Sequence, residues 1–272
     1  MKKTLLALGL TLIASSSFAY NGQIDGGFTY FDYDDDITDS SGAFDVKGTL
    51  YFNPVNAKNG PLNEAAFLGH SSNASLAYTY GYWESKNIAG AEQDNKSNNI
   101  SAGIEYFYEQ FYFEGALGFT RANAEGKLNG FQVFDEDYDS TNYRALAGFL
   151  PIPNLLLAAG IDGYQGDDDD DEDNRFAVKA KYVTPLNNGQ SLNLEADGAF
   201  GDTDTVMLGA DYYFNPAFSL GAEYSIQDNG DDDADFFALR TKYFINSDFA
   251  VGGAMGFGDN VNLFNINASF RF

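Results

Sequence analysis

The chain has 272 residues with Lys+Arg 15 against Asp+Glu 40, a formal net charge of −25, and no cysteine. This acidity excludes nucleic-acid binding, which needs basic surface over phosphates. The absence of cysteine excludes a disulfide framework and thiol chemistry. Beyond the N-terminus no stretch is apolar for the ~18 residues of a spanning helix, so a helical membrane protein is excluded as well. Glycine at 29, tyrosine at 18 and phenylalanine at 25 fit a barrel that is polar inside and lipid-facing outside.

The N-terminus carries Lys2 and Lys3, an apolar run from Leu5 to Ile13, and the small residues Ser15-Ser16-Ser17-Phe18-Ala19. This pattern predicts a secretory signal peptide over 1–19, with Ser17 and Ala19 at the −3 and −1 positions. The mature domain, 20–272, would begin at Tyr20 and carry an even larger net negative charge, since the leader removes two lysines.

Fourteen strands are predicted over 23–31, 43–52, 74–83, 99–108, 111–121, 142–150, 155–164, 175–183, 191–200, 206–214, 218–226, 236–244, 249–257 and 261–272. Most alternate with period 2, as strands do when their two faces meet different solvents. In the ninth, Leu192, Leu194, Ala196, Gly198 and Phe200 face one way, and Asn193, Glu195 and Asp197 the other. In the twelfth, Phe237, Leu239 and Tyr243 face out, while Arg240 and Lys242 face in. The expected fold is all-β: a transmembrane antiparallel up-and-down β-barrel of about 14 strands, with 12 or 16 as the alternatives.

The connections alternate in chemistry. All six prolines lie in one set, with Pro54 and Pro61, Pro151 and Pro153, Pro185, and Pro216. Short turns such as Glu109-Gln110 and Ile245–Asp248 belong to the same set. The other set carries acid: Asp34-Asp35-Asp36, Glu92 and Asp94, Asp135-Glu136-Asp137, the run from Asp167 through Asp168, Asp169, Asp170 and Asp171 to Asp173, Asp202 and Asp204, Asp231-Asp232-Asp233, and Asp259. Two strictly alternating turn chemistries imply two sides of a membrane, with short periplasmic turns and longer extracellular loops. Nearly all net charge then gathers at one mouth, and the wall is balanced.

The candidate pore-lining residues are the inward-facing Lys47, Glu105, Glu114, Arg144, Lys179, Lys181, Glu195, Asp197, Asp211, Glu223, Arg240 and Lys242. Lys179 and Lys181 should neighbour Glu195 and Asp197, and Glu223 should neighbour Arg240 and Lys242. Such residues can order water and tune ion selectivity, or form a lattice of cross-strand ion pairs. Small inward residues, among them Gly209 and Gly221, are expected to leave room in the lumen. The acidic loops read as a cation-attracting vestibule, with divalent-cation contact or a plain solvated surface as alternatives. The Asp167–Asp173 run lacks the spacing of a calcium loop, so no metal site and no cofactor are expected. The segment 123–141, bearing Phe131, Val133 and Phe134, is the best candidate for a loop folding into the lumen.

The connection after the second strand is long. It predicts two helical turns over Leu62–Leu68, with Pro61 at the first position and Gly69 as the stop. A periplasmic cap on the strand ends is the expected placement, and a plug in the lumen is the alternative. Tyr51-Phe52-x-Pro-Val followed by Gly-Pro-Leu-x-Glu-Ala-Ala-Phe-Leu resembles a motif of a family of porins of Gram-negative bacteria. The motif covers about twenty residues. The resemblance implies a water-filled passive channel and supplies no catalytic residues. His70 is the single histidine and reads as structural; an outer-membrane hydrolase using it is the third reading after the two below.

From Phe264 the chain alternates Phe-Asn-Ile-Asn-Ala-Ser-Phe-Arg-Phe. This ending, with Phe270 and Phe272, resembles the C-terminal assembly signal of bacterial outer-membrane barrels. It implies localisation in the outer membrane, with lipid, lipopolysaccharide and the assembly machinery as partners. The expected function is a non-enzymatic porin for passive diffusion of small hydrophilic solutes and ions, with cations preferred. The alternative is a non-conducting barrel whose acidic loops serve adhesion or divalent-cation contact.

Overall fold

The computed structural model describes residues 19–57, 60–167, 172–230 and 233–272. Residues 1–18, within the predicted leader 1–19, and the acids Asp168, Asp169, Asp170, Asp171, Asp231 and Asp232 lie outside the described residues.

Fourteen strands form one closed sheet. They are β1 (Ala19–Tyr33), β2 (Thr38–Asn56), β3 (Asn73–Ser85), β4 (Ala91–Tyr108), β5 (Phe111–Leu128), β6 (Phe131–Ile152) and β7 (Leu155–Gly166). The second half comprises β8 (Glu172–Pro185), β9 (Ser191–Phe200), β10 (Asp204–Asn215), β11 (Phe218–Asp228), β12 (Asp233–Phe244), β13 (Phe249–Gly258) and β14 (Val261–Arg271). Each strand pairs antiparallel with its sequence neighbours, and β1 pairs β14 from Gln23↔Arg271 to Tyr33↔Val261. Closure removes the free edges that an open sheet would expose. The strand count and order agree with the alternation; 12 and 16 are excluded.

The outer surface inverts the rule for soluble proteins. Outward positions are apolar and open, as at Leu76 (58 %), Leu117 (65 %) and Ile266 (70 %). In lipid these are the solvated groups, and the backbone is satisfied by the ladder. The start of β1, the end of β14 and the short turns lie at one end of the barrel, termed here the turn end. The acidic connections lie at the other, the loop end.

The strands run longer than alternation alone predicts, chiefly at the loop end. The segment 123–141 is not a loop folded into the lumen. It is the top of the β5–β6 hairpin, paired from Asn123↔Asp137 to Leu128↔Phe131. Asn129 (φ 51°) and Gly130 (φ 80°) make its turn. An Asn-Gly pair with both residues at positive φ is the strongest short-range hairpin signal. Phe131 there is 77 % exposed rather than covered. Glu92, Asp94, Asp135, Glu136 and Asp137 accordingly sit on strand extensions, not in loops. The Asn129 N–H donates to the Gly90 carbonyl at 2.7 Å, so this tip is braced on the β3–β4 turn.

The seam is sealed by the last residue. The Phe272 carbonyl accepts N–H groups from Asn21 (2.7 Å) and Gly22 (2.9 Å), and its own N–H donates to Gly22 O at 3.0 Å. Phe270 and Phe272, the predicted assembly residues, stack with centroids 6.2 Å apart. A Cβ on Gly22 would lie 2.5 Å from the Phe272 ring. Gly22→Val should therefore displace that ring and cost about 1–3 kcal/mol. Urea titration of the barrel refolded into lipid vesicles checks this; an unchanged midpoint would show that the C-terminal ring tolerates displacement.

Candidate functional site: a plugged lumen lined by a charge lattice

The connection between β2 and β3 is inside the barrel. It forms a 3-10 turn at Leu62–Glu64 and one helical turn, α1 (Ala65–Leu68). Pro61 precedes the 3-10 turn as its cap, in extended conformation, and Gly69 caps α1. The two helical turns are as predicted; the placement as a periplasmic cap is wrong, and the plug is correct. Leu62, Ala65 and Ala66 pack with Tyr20, Tyr51, Val55 and Ala57 on the wall near the β1–β2 seam. Opposite, the Leu62 N–H donates to Pro216 O at 2.8 Å. The Arg271 guanidinium donates to Leu62 O at 2.9 Å.

Glu64 clamps the plug. It is only 2 % exposed. Its Oε1 accepts the Tyr213 hydroxyl at 2.6 Å, and its Oε2 lies 2.8 Å from Lys181 Nζ. Lys181 also meets Glu195 at 2.6 Å and lies over the Phe67 ring, 5.3 Å from its centroid. A buried carboxylate needs this degree of pairing, because its isolated charge would cost several kcal/mol. Glu64 is the functional residue that sequence reading missed. No local pattern points to a partner such as Tyr213, 149 residues away.

The predicted pore-lining residues converge into clusters. Arg144 on β6 reaches Glu114 (3.1 Å), Asp162 (3.1 Å) and Asp197 (2.6 Å). Lys179 meets Glu114 at 2.6 Å and Glu105 at 3.7 Å, and the Tyr112 hydroxyl bridges those two carboxylates at 2.6 and 2.7 Å. Arg240 meets Asp211 (2.8 Å), Glu223 (2.5 Å) and Glu195 (3.6 Å). The expected Lys181–Glu195 and Glu223–Arg240 pairs are present. Lys179 and Asp197 are opposite in register, yet each takes a closer partner elsewhere: Lys179 takes Glu114 and Asp197 takes Arg144. Lys242 is drawn not to Glu223 but to Asp25, at 3.9 Å. Lys47 stands opposite Asp25 in the β1–β2 register.

Two of the small inward residues make room for these clusters rather than for solute. A Cβ on Gly221 would lie 2.1 Å from Asp211 Oδ1, and one on Gly209 would lie 3.0 Å from Arg240 Nη2. Gly221→Ala should thus push Asp211 off Arg240 and cost about 1–3 kcal/mol; a urea midpoint equal to the parent's would show that the pair re-forms.

Three larger cavities follow one another along the lumen, and a fourth, about 310 Å³, lies beside Arg144, Asp162 and Arg175. The first, about 660 Å³, touches Glu64 and Lys181 on one side of the clamp. The second, about 390 Å³, shares Asn63, Glu64, Lys181 and Glu195 with it and continues toward Lys179 and Asp197. The third, about 560 Å³, starts at Asp197 and Met207 and opens toward Asp233, Asp235 and Asp259 at the loop end. The first is lined by six carboxylates (Asp25, Asp45, Glu64, Glu195, Asp211, Glu223) and three cations (Lys181, Arg240, Lys242). The second has four carboxylates against two lysines. The third has four aspartates and no basic residue in its lining.

The acidic mouth is partly structural. Between Asp34 and Asp36, the Asp35 carboxylate accepts N–H groups of Thr38 (2.6 Å) and Ile37 (2.9 Å). These bonds hold its pKa below the usual carboxylate value. Asp34 donates its N–H to Asn260 O at 2.9 Å, tying this loop to the β13–β14 turn. Asp173 is buried and accepts N–H groups of Asp202 (3.1 Å) and Thr203 (2.9 Å), so it latches the β9–β10 loop instead of facing a vestibule. Asp233 opens β12. His70, just past α1, stacks on Phe107 with centroids 5.5 Å apart, and burial lowers its pKa.

No curated protein sequence matches the chain. Among solved structures, the outer membrane protein Omp33 of Acinetobacter baumannii is 22 % identical, with a TM-score of 0.65 over 94 % of this chain and 100 % of that one. A mutant of the monoaromatic hydrocarbon channel TodX is 9 % identical, with a TM-score of 0.61 over 93 % and 91 %. A FadL homologue of Pseudomonas aeruginosa is 12 % identical, with a TM-score of 0.56 over 93 % and 90 %. At these identities the likeness concerns the fold. The sequence profile of one family matches residues 1–272 in full. The chain therefore belongs to the family described as "Putative general bacterial porin" and is a β-barrel of the bacterial outer membrane.

Proposed function

We propose that the barrel is a passive diffusion channel for small cations and small hydrophilic solutes, narrowed at its turn end by the plug. The observation that carries the reading is the excess of carboxylates over cations in the three larger successive cavities, against which a smaller fourth carries two guanidiniums to one carboxylate. Fixed negative charge in a narrow, low-dielectric passage raises local cation concentration and opposes anions. Short turns are periplasmic in such barrels, so the plug faces the periplasm and the acidic loops face the medium. The leader 1–19 would export the chain. The closing strand with Phe270 and Phe272 would be the segment read by the assembly machinery.

The test is the reversal potential of the refolded chain in a planar bilayer under a KCl gradient, at low and at high salt. Cation preference should fall as salt rises, because the Debye length shrinks to ~3 Å at 1 M. It should not vanish, because carboxylates inside the lumen are screened less than those of the loops. Preference for chloride, or none at low salt, would overturn the reading.

A second reading is favoured by the clamped plug itself: a closed barrel whose acidic loops contact lipopolysaccharide through divalent cations. Folded protein with no conductance, joined to a calcium-dependent interaction with lipopolysaccharide, would establish it.

A further inference from the structure

A fifth cavity, about 610 Å³, opens at the loop end and shares no lining residue with the other four. It lies where the upper parts of β1 to β6 converge. Five aromatic residues line it, Phe31, Tyr33, Tyr82, Trp83 and Tyr138, together with the amides Gln93, Asn95 and Asn123. Trp83 is the single tryptophan of the chain. Its indole N–H donates to Thr38 Oγ1 at 3.0 Å, which fixes the plane of the ring. Gln93 Nε2 donates to Asn95 Oδ1 at 3.2 Å, which holds the two amides beside each other.

We infer that this cavity is a binding site for neutral sugars at the loop end of the lumen. A pyranose has two kinds of surface. Its C–H-bearing faces are apolar and weakly positive, and they pack against the negative face of an aromatic ring. Its hydroxyls donate and accept, and a primary amide can answer both. Fixed rings interleaved with amides match that pair of demands. The volume is that of a small-molecule site, and the Thr38 bond reduces the ordering cost of binding. The lining also decides against other ligands. Glu136 and Asp137 border the cavity against the single cation Lys96, and this net negative charge disfavours anions. A purely apolar ligand would desolvate the amides without answering their remaining hydrogen-bonding groups.

Trp83 provides the reporter. Maltotriose and cellotriose titrated into the refolded full chain should give a saturable change in tryptophan fluorescence, with glycerol giving none. Tyr138→Ala and Asn95→Leu retain the tryptophan and should each weaken apparent affinity about tenfold, the equivalent of ~1.4 kcal/mol. Phe131→Ala, on the same hairpin but outside the cavity, should bind like the parent. A glycerol response equal to that of the sugars, no saturable response, or parental binding by Tyr138→Ala would each overturn the assignment. Since the readout is fluorescence and not current, failure of the channel reading leaves this test intact.

Discussion

Glu64→Ala is expected to convert a narrowed barrel into one that opens in large steps. The carboxylate holds the plug through Tyr213 and Lys181 at 2.6 and 2.8 Å. Its loss leaves the Tyr213 hydroxyl without its acceptor and Lys181 with Glu195 alone. Breaking a buried ion pair by removing one partner costs about 3–5 kcal/mol. Lys181 keeps its second carboxylate, so the low end applies. At about 1.4 kcal/mol per factor of ten, the displaced state should rise about a hundredfold in population. Single-channel recording would register this as frequent steps to a higher level. Glu64→Gln should lie between, since the amide oxygen can still accept from Tyr213 but the charge is gone. Removing residues 61–69 should give the high level continuously. If the alanine variant and the deletion both conduct like the parent, the plug is not the constriction.

Arg144→Ala should produce a large loss of global stability. Its side chain is 16 % exposed and holds carboxylates from β5, β7 and β9. Without it, Glu114 retains Lys179, and Asp162 retains Arg175, which donates to it from β8. Asp197 loses its only ion pair among the described residues. The expected cost is about 3 kcal/mol, the lower end for a broken buried pair because the lumen holds water. Urea unfolding from lipid vesicles measures it. Arg144→Lys should recover only part, because a single ammonium cannot match three divergent carboxylates as a planar guanidinium does. The alanine variant should also shift the reversal potential further toward cations. Equal urea midpoints for the parent and both variants would show that this hub contributes no net stability.

Wall and interior differ in what can be read without coordinates. Alternation places Arg240 and Lys242 inside β12 and Phe237, Leu239 and Tyr243 outside it, because the side-chain period of a strand is 2 and lipid rejects charge. Antiparallel neighbours then yield the Lys181–Glu195 pair from order alone. The β5–β6 hairpin was also legible in principle, through Asn129-Gly130, but acidic composition on either side masked it as a loop. Beyond these, order along the chain is silent. Arg144 on β6 meets Asp197 on β9, and Lys179 on β8 meets Glu114 on β5.

The sequence by itself determined an antiparallel barrel wall of about fourteen strands, its two faces, its acid-rich end and a short helical piece after β2, and closure of the sheet excluded twelve and sixteen. These follow from local periodicity, turn chemistry and the rule that lipid tolerates no unpaired backbone. Only the tertiary structure decided that the helical piece enters the lumen. It also decided that Glu64 is its clamp and that Gly209 and Gly221 serve a charge cluster rather than an open pore. Each of these depends on closure of the barrel. Closure brings Pro216, Tyr213, Lys181 and Arg271 around one point, and a one-dimensional pattern holds no measure of the distance across a lumen.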